Sequence, residues 1–479
     1  MSLQIPRRHL LQSFGNGFGL LALAGVLDDA QLLASDIGSG ESPVGDDLVP
    51  RPSHFPGKAK AVIQLFQNGG PSQMDLFDNK PELSRHYGQP HPDPGVFETV
   101  SLAGSQNVLM GTAFKFARHG QCGMELSELI PHIANVADDL CLVRSMHTEH
   151  NNHPFAITMM QTGKTFAGRP AMGSWVCYAL GTENRNLPGY VVLRDPAGYN
   201  TSGKSVWSNG WLPAVYQGTE FSSSGTPVLY MDPARPRSAQ ARARSQDFLS
   251  VLNDAHLLQH PGESELEARV QNFELAARMQ LEATDAMDLS NETEATRKLY
   301  GLDNPVTAPY GTRCLMARRL VEAGVRFVQI FPPVGQPWDH HVKLIRGMNY
   351  VCGKTDQGSA ALIRDLKQRG LFDDVIVMWT GEFGRLPITQ NADGRDHNRN
   401  AFSLLMAGGG FKAGHIHGET DEFGYRSVKD RVSVPELHAT ILDQLGIDHT
   451  RLSYPHGGRA ERLTDPEVTG ARVVDELLA

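Results

Sequence analysis

Apolar runs recur along this chain at wide intervals. Most are too short for helices and too unbroken for strands with one wet face. "KAKAVIQLF" (58–66), the run at 140–145, "GYVVL" (189–193), "GVRFVQIF" (324–331), "DVIVMW" (374–379) and "FSLLMAGG" (402–409) are bounded by turn residues. They predict strands buried on both faces. Helix-periodic stretches lie between them at 312–323, 355–370 and 434–446, and "ELSELIPHIANVADDLCLVRSM" predicts a helix leading into strand 140–145. This alternation predicts an α/β domain over 58–479, with a mainly parallel central sheet covered by helices on both faces. Residues 236–300 depart from it: "ARARSQDFLSVLNDAHLL" and "ESELEARVQNFELAARMQLEATDAMDL" are charged, rich in Ala, Leu and Glu, and predict an inserted helical hairpin. There is no internal repeat. Sheets of this kind carry their chemistry in loops beyond the carboxyl ends of the strands, so those loops are where candidate residues are sought.

Composition narrows the function classes. The 479 residues are 40% apolar, enough for one large or two medium domains. Forty-four basic against 53 acidic residues give a net charge of −9, with no basic patch. Nucleic acid is therefore not an expected partner. Near the N-terminus, Arg7-Arg8 and Leu10-Leu11 precede an apolar stretch rich in Gly, Ala and Leu. Residues 1–35 read as a twin-arginine export signal with processing near "LLAS" (32–35), followed by a Gly/Ser/Pro/Asp-rich linker over 36–57. An amphipathic helix is the other reading. Export implies the twin-arginine machinery as a partner and a periplasmic or extracellular location. The apolar run is too short and Gly-rich for a stable membrane span in the mature form. The five cysteines (122, 141, 177, 314, 352) contain no CxxC pair, which argues against a zinc–thiolate site and leaves disulfide pairing open. Cys141 and Cys177, in apolar contexts, read as buried free thiols.

Four polar clusters follow predicted strands. "QNGGPSQMDLFD" offers Ser72, Asp75 and Asp78 after a Gly69-Gly70 turn. "RSMHTEHNNHPF" packs His147, Thr148, Glu149, His150 and His153 together. "GQPWDHH" gives Asp339, His340 and His341. In "WTGEFGRLPITQNADGRDH" a buried strand ends on Glu382, and a polar, Gly-bearing loop returns Asp396 and His397 to the same rim. Imidazole and carboxylate are the usual ligands of divalent ions such as zinc, manganese or calcium. One Asp–His pair alone is more often structural; three histidine-bearing clusters past strand ends point to a metal site. Arg385 and Arg395 read either as salt-bridge partners or as forks holding an oxyanion.

"NGGPSQMDLFDNKPEL", "RSMHTEHNNH", "PWDHH", "GEFGR" with "GRDHN", and "SVPELHATILDQLGIDHTRLSYPHGGRAERLTD" together resemble the bacterial "domain of unknown function 1501" family over nearly the whole chain. That family looks like a distant branch of the alkaline phosphatase and sulfatase superfamily. The resemblance implies an alkaline-phosphatase-like fold and hydrolysis of phosphate or sulfate esters. "ALIRDLKQRGLFDDVIVMWTGEFG" is similar to the sulfatase segment running into Thr-Ser/Ala-Asp-His-Gly, which puts Glu382 in the place of a metal-binding Asp. Asp339 with His340 or His341 resembles the preceding Asp/His pair, and His397 the last histidine ligand. The chain departs from the pattern at Asn68, where the first strand would end on a metal-binding Asp, with Asp75 seven residues on. It departs again at Phe383, in a histidine's position. No Cys-x-Pro-x-Arg motif supports formylglycine chemistry. "HTEHNNH…QTG" distantly resembles a Thr-containing phosphodiesterase loop, which nominates Thr148 or Ser145 as nucleophile. The reading that follows is an exported metal-dependent hydrolase of small-molecule or polysaccharide anionic esters. Its metal ligands would be Asp75, Asp339, His341, Glu382 and His397, with His153, Arg385 and Arg395 meeting substrate. The alternative is a binding or scaffold protein that keeps the fold without the chemistry.

Overall fold

The computed structural model describes residues 48–93, 96, 105–224, 238–260 and 286–479 except 334 and 392, with a few helical positions between 266 and 279. The expected export signal, and the linker up to residue 47, lie outside these residues.

Among the described residues, nine strands form the central sheet. In spatial order they are His415–His417, Leu140–His147, Phe402–Ala407, Val375–Thr380, Ala61–Phe66, Phe327–Ile330, Tyr190–Leu193 and Thr219–Glu220, with Val432–Ser433 also pairing Leu140–His147. Only Phe402–Ala407 is antiparallel to its neighbours; every other pairing is parallel. The central strands are buried at every position because helices cover both faces. All six predicted strands are present, with ends moved by a few residues.

The helices diverge more from the pattern. Helix Leu344–Gln368 begins well before 355, since Leu344, Met348, Val351 and Cys352 already bury one face although Gly347 and Gly353 blur the period. Helix Ala308–Glu322 starts with a proline in its first turn. Helices His153–Thr162 and Met172–Leu180 carry no sequence pattern that stands out, because they are apolar on almost every side and buried. The helix expected before residue 140 shrinks to Pro131–Ala134 and one turn at Ala137–Asp139. Within the expected insertion, Ala239–Gln259 is a 21-residue helix capped by Ser238, and much of the second arm lies outside the described residues.

The segment expected as a loop after Glu382 is instead a β-hairpin, Gly384–Gln390 with Gly394–Asn398, extended by Ser105–Leu109. Leu386 and Ile388 alternate into a small second core with Met74, Leu83, Leu109, Phe423 and Tyr425. Pro387 inside the strand hides that alternation, because proline within a run argues against a strand. All five cysteines are free thiols, and burial pushes Cys141, Cys177 and Cys314 up to about 12. Among the described residues no helix is long and apolar enough to cross a membrane.

Candidate metal centre

Strand direction explains how distant residues meet. Residues that follow a parallel strand and residues that precede an antiparallel one emerge at the same edge of a sheet. Gly69 follows Ala61–Phe66, Asn151 and His153 follow Leu140–His147, Asp339 and His341 follow Phe327–Ile330, and Glu382 follows Val375–Thr380. His397 precedes the antiparallel Phe402–Ala407, and so reaches the rim from the opposite chain direction. The Gly69-Gly70 turn must come very close to its neighbours. A Cβ on Gly69 (φ 117°) would lie 2.7 Å from the Trp338 nitrogen, and one on Gly70 (φ 73°) 2.6 Å from the Phe383 ring.

Asp339 is the hub. Its Oδ1 lies 2.9 Å from His341 Nε2, 3.1 Å from His397 Nε2 and 2.7 Å from Arg385 Nη2, and its Oδ2 is 3.2 Å from His153 Nε2. Each imidazole commits its other nitrogen elsewhere. His153 Nδ1 is 2.6 Å from Glu382 Oε1, His397 Nδ1 is 2.7 Å from the Asn151 carbonyl oxygen, and His341 Nδ1 meets Gln390 Oε1. Glu382, fully buried, also accepts from the Gly69 N–H at 2.8 and 3.1 Å. Burial grades outward, from Glu382 at 0% through His153 at 11% and Asp339 at 22% to His341 at 32% side-chain exposure. The centre therefore opens on its His341 side.

These contacts test whether a cation fits. A carbonyl oxygen accepts only, so His397 Nδ1 must carry a proton and donate to Asn151. In the neutral ring the Nε2 lone pair then points at a carboxylate oxygen 3.1 Å away. Two lone pairs so close need a proton or a cation between them. The proton is disfavoured at His397, where burial, with Arg385 and His153 nearby, holds the pKa below its ordinary value. Charge agrees. The carboxylates of Asp339, Glu382 and Asp396 face one guanidinium, that of Arg385, which leaves two negative charges unbalanced if the imidazoles are neutral. Two triads, His153–Asp339–His397 and His341–Asp396–His397, place one ligand atom per residue within 4.8 Å of one another. The donor set of imidazole nitrogens and carboxylate oxygens suits zinc, manganese and related ions. The residues fit a divalent ion.

Burial would raise the Asp339 pKa, but hydrogen bonds with His153, His341 and His397 hold it far below the usual carboxylate range. His341 is raised by its own bond to Asp339. His153 is raised too, burial being outweighed by Asp339 and Glu382.

Several expected roles change. His340 is not the partner of Asp339: it turns against Gly347, and burial lowers it to about 4. Glu382 sits behind His153 and orients that ring. His153, expected at substrate, stands inside the cluster. Asp75 is not brought to the hub. It forms a fully buried pair with Arg395 (2.9 Å) and also accepts from Ser72. The arginines expected to hold an oxyanion are turned inward. Arg385, 1% exposed, donates to the carbonyls of Gly69, Gly70, Trp338 and Arg395 as well as to Asp339. The Arg385 fork braces the Gly69-Gly70 turn, while Arg395 donates to the Leu386 and Gly111 carbonyls beside its pair with Asp75. Ser145 Oγ donates to the Asp430 carbonyl, whereas Thr148 Oγ1 is buried with no hydrogen-bond partner. The Asn151 carbonyl, Gln390 and Phe383 go unseen in the sequence; a polar or aromatic residue among many carries no signal until the hairpin folds.

An α/β protein with a histidine–carboxylate hub at the carboxyl rim of its sheet is the class these features define. The chain belongs to the protein family of unknown function DUF1501, whose model matches residues 59–478. No curated protein sequence matches it significantly. Among solved structures, it is similar to the lipoteichoic acid synthase LtaP from Listeria monocytogenes (10% identity, 84% of this chain and 77% of that one, TM-score 0.36). It is also similar to a phosphonate monoester hydrolase from Silicibacter pomeroyi (12%, 87% and 78%, TM-score 0.33). A further match is an alkaline phosphatase superfamily protein from Vibrio parahaemolyticus (11%, 89% and 76%, TM-score 0.34). Overlaps this loose say nothing about the chemistry at the rim.

Proposed function

We propose that the protein is an exported, metal-dependent hydrolase of phosphate or sulfate esters. One observation carries the reading: three imidazoles each turn one nitrogen to Asp339 and commit the other to Glu382, Gln390 or the Asn151 carbonyl. Arg7-Arg8 and the apolar stretch after them support export.

His153, Asp339 and His397 would hold the ion, which when bound supplies Lewis-acid polarisation of the ester's phosphoryl or sulfuryl oxygen. Glu382 and the Gly69 N–H fix the His153 ring, and Arg385 fixes Asp339, so the ligands are set before substrate arrives. Thr148 is the candidate nucleophile because its hydroxyl is free of internal partners. Its oxygen would bond to phosphorus or sulfur as the bond to the alcohol oxygen breaks, its proton passing through water to the departing alkoxide. A second water would then cleave the phosphoryl or sulfuryl threonine ester, restoring the hydroxyl and releasing phosphate or sulfate. His341, the most exposed of the three imidazoles, borders the open side of the centre with its nitrogens turned to Asp339 and Gln390.

The test is a panel of aryl phosphate and aryl sulfate esters, assayed with zinc, manganese or calcium and after chelation. Metal-dependent turnover is expected, lost in His397→Ala while the circular dichroism spectrum stays unchanged. Full activity in that variant sinks the site assignment. A folded, metal-replete chain inert to the whole panel shifts the reading to a non-catalytic binder.

A further inference from the structure

Two overlapping triads invite the idea of two ions. We infer that the rim holds one, seated between His153, Asp339 and His397, and that Phe383 is the side chain that keeps it to one. The inference rests on the metal reading above and goes beyond it.

Both triads require His397. Its Nδ1 donates to the Asn151 carbonyl, so Nε2 is its one free lone pair, and an imidazole nitrogen has one lone pair to give. The two triads therefore compete for a single atom. The outer one is the poorer host. The His341 nitrogen facing Asp396 is Nδ1, 3.8 Å away, and that same nitrogen meets Gln390 Oε1. Asp396 Oδ1 already accepts the His397 backbone N–H at 2.8 Å. In the inner triad the facing nitrogen is His153 Nε2, buried and 3.2 Å from Asp339 Oδ2, with the ring held from behind by Glu382.

Space and charge agree. The Phe383 ring, fully buried, lies 4.9 Å from His153 and 4.6 Å from His397, centroid to centroid, and fills the space up to Gly70. An apolar ring there offers a second ion no ligand and excludes water. With the imidazoles neutral, as ligation requires, the unbalanced charge of the cluster is minus two, so one divalent ion cancels it and a second would leave the half-buried site with two positive charges.

The experiment counts ions in the full chain, purified without a histidine tag and stripped by chelator. Cobalt(II) is titrated by visible absorption and zinc(II) by native mass spectrometry. Saturation at one equivalent, lost in His153→Ala and retained in His341→Ala, is expected. Phe383→His, which replaces the plug by a ligand, should raise the count to two. Two equivalents in the unmodified chain overturn the proposal and leave the metal reading standing. One equivalent lost in His341→Ala but kept in His153→Ala overturns the placement. No uptake by folded protein removes the metal reading and this inference together. A folded Phe383→His that stays at one equivalent removes the role given to Phe383.

Discussion

Two dense charge clusters lie in this domain. In one, Arg318 meets Glu292 (2.5 Å), Glu322 (2.5 Å) and Asp365 (2.9 Å), Arg319 meets Glu292 (2.9 Å), and Arg369 meets Asp365 (2.8 Å) and Glu322 (3.1 Å). Three guanidiniums answer three carboxylates, and each charge has its partner within the protein. In the other, around Asp339, three carboxylates face one guanidinium, and the remaining donors are imidazoles. Density of charge is the same in kind; balance is not. Arginine is always charged and closes a carboxylate off, whereas neutral imidazole turns a lone pair to whatever sits between. The first cluster ties helix Ala308–Glu322 to helix Leu344–Gln368; the second is left short of positive charge.

The same substitution in both clusters should break the comparison in opposite ways. Asp339→Asn removes the hub's charge and should cut ester hydrolysis roughly a thousandfold, the several kcal/mol that a metal's charge stabilisation typically supplies. Metal content should fall with it. Steady-state kinetics and elemental analysis check this, and metal retained at full occupancy would dismiss Asp339 as hub. Asp365→Asn should leave hydrolysis and metal unchanged and instead cost about 3–5 kcal/mol of stability, the usual effect of breaking a buried pair. The urea midpoint reads it. A loss of metal in Asp365→Asn would show that the two clusters are not separable.

A pH series sharpens the contrast. His341 and His153 have folded pKa values raised above 6.5. In the ion-free chain they add stability that is complete below pH 6.5 and fades as pH rises through the folded values. A bound ion needs neutral rings, so its affinity runs the other way: weak below pH 6.5 and rising by about tenfold per pH unit for each proton displaced. Glu292 behaves differently. Burial would raise it, but Arg319 and Arg318 lower it below 4.5, so its contribution is present above pH 4.5 and is lost as pH falls further. Between pH 6 and 8 only the Asp339 cluster should respond. Chelator competition at pH 6, 7 and 8 measures the slope, and a flat profile would count against imidazole ligation.

How much of this was legible in the residues follows from what each signal requires. The buried strands were, because runs such as Val375–Met378 stay apolar for reasons local to the strand. Asp339, His341, Glu382 and His397 were nominated because histidines and carboxylates crowd after strands. Their ranking was not, since which nitrogen faces which oxygen depends on the hairpin that Pro387 disguises. The inward turn of Arg385 and Arg395 was equally hidden: a guanidinium that braces glycine carbonyls looks, in sequence, like one that waits for an anion.

The smallest expected effect separates the two hydroxyls. Ser145 is buried, and its Oγ donates to the Asp430 carbonyl beside the edge strand Val432–Ser433. It belongs to neither charge cluster: the bond is neutral and internal. Ser145→Ala should cost about 1 kcal/mol, the net worth of one such bond, and leave hydrolysis and metal content alone. Thr148 has no such partner, so Thr148→Ala should barely move the urea midpoint while reducing turnover. If Ser145→Ala lowers turnover tenfold or more while Thr148→Ala does not, the hydroxyls exchange roles. Thr148 would then be an unsatisfied group at the rim, and the nucleophile would have to come from the strand side of the site.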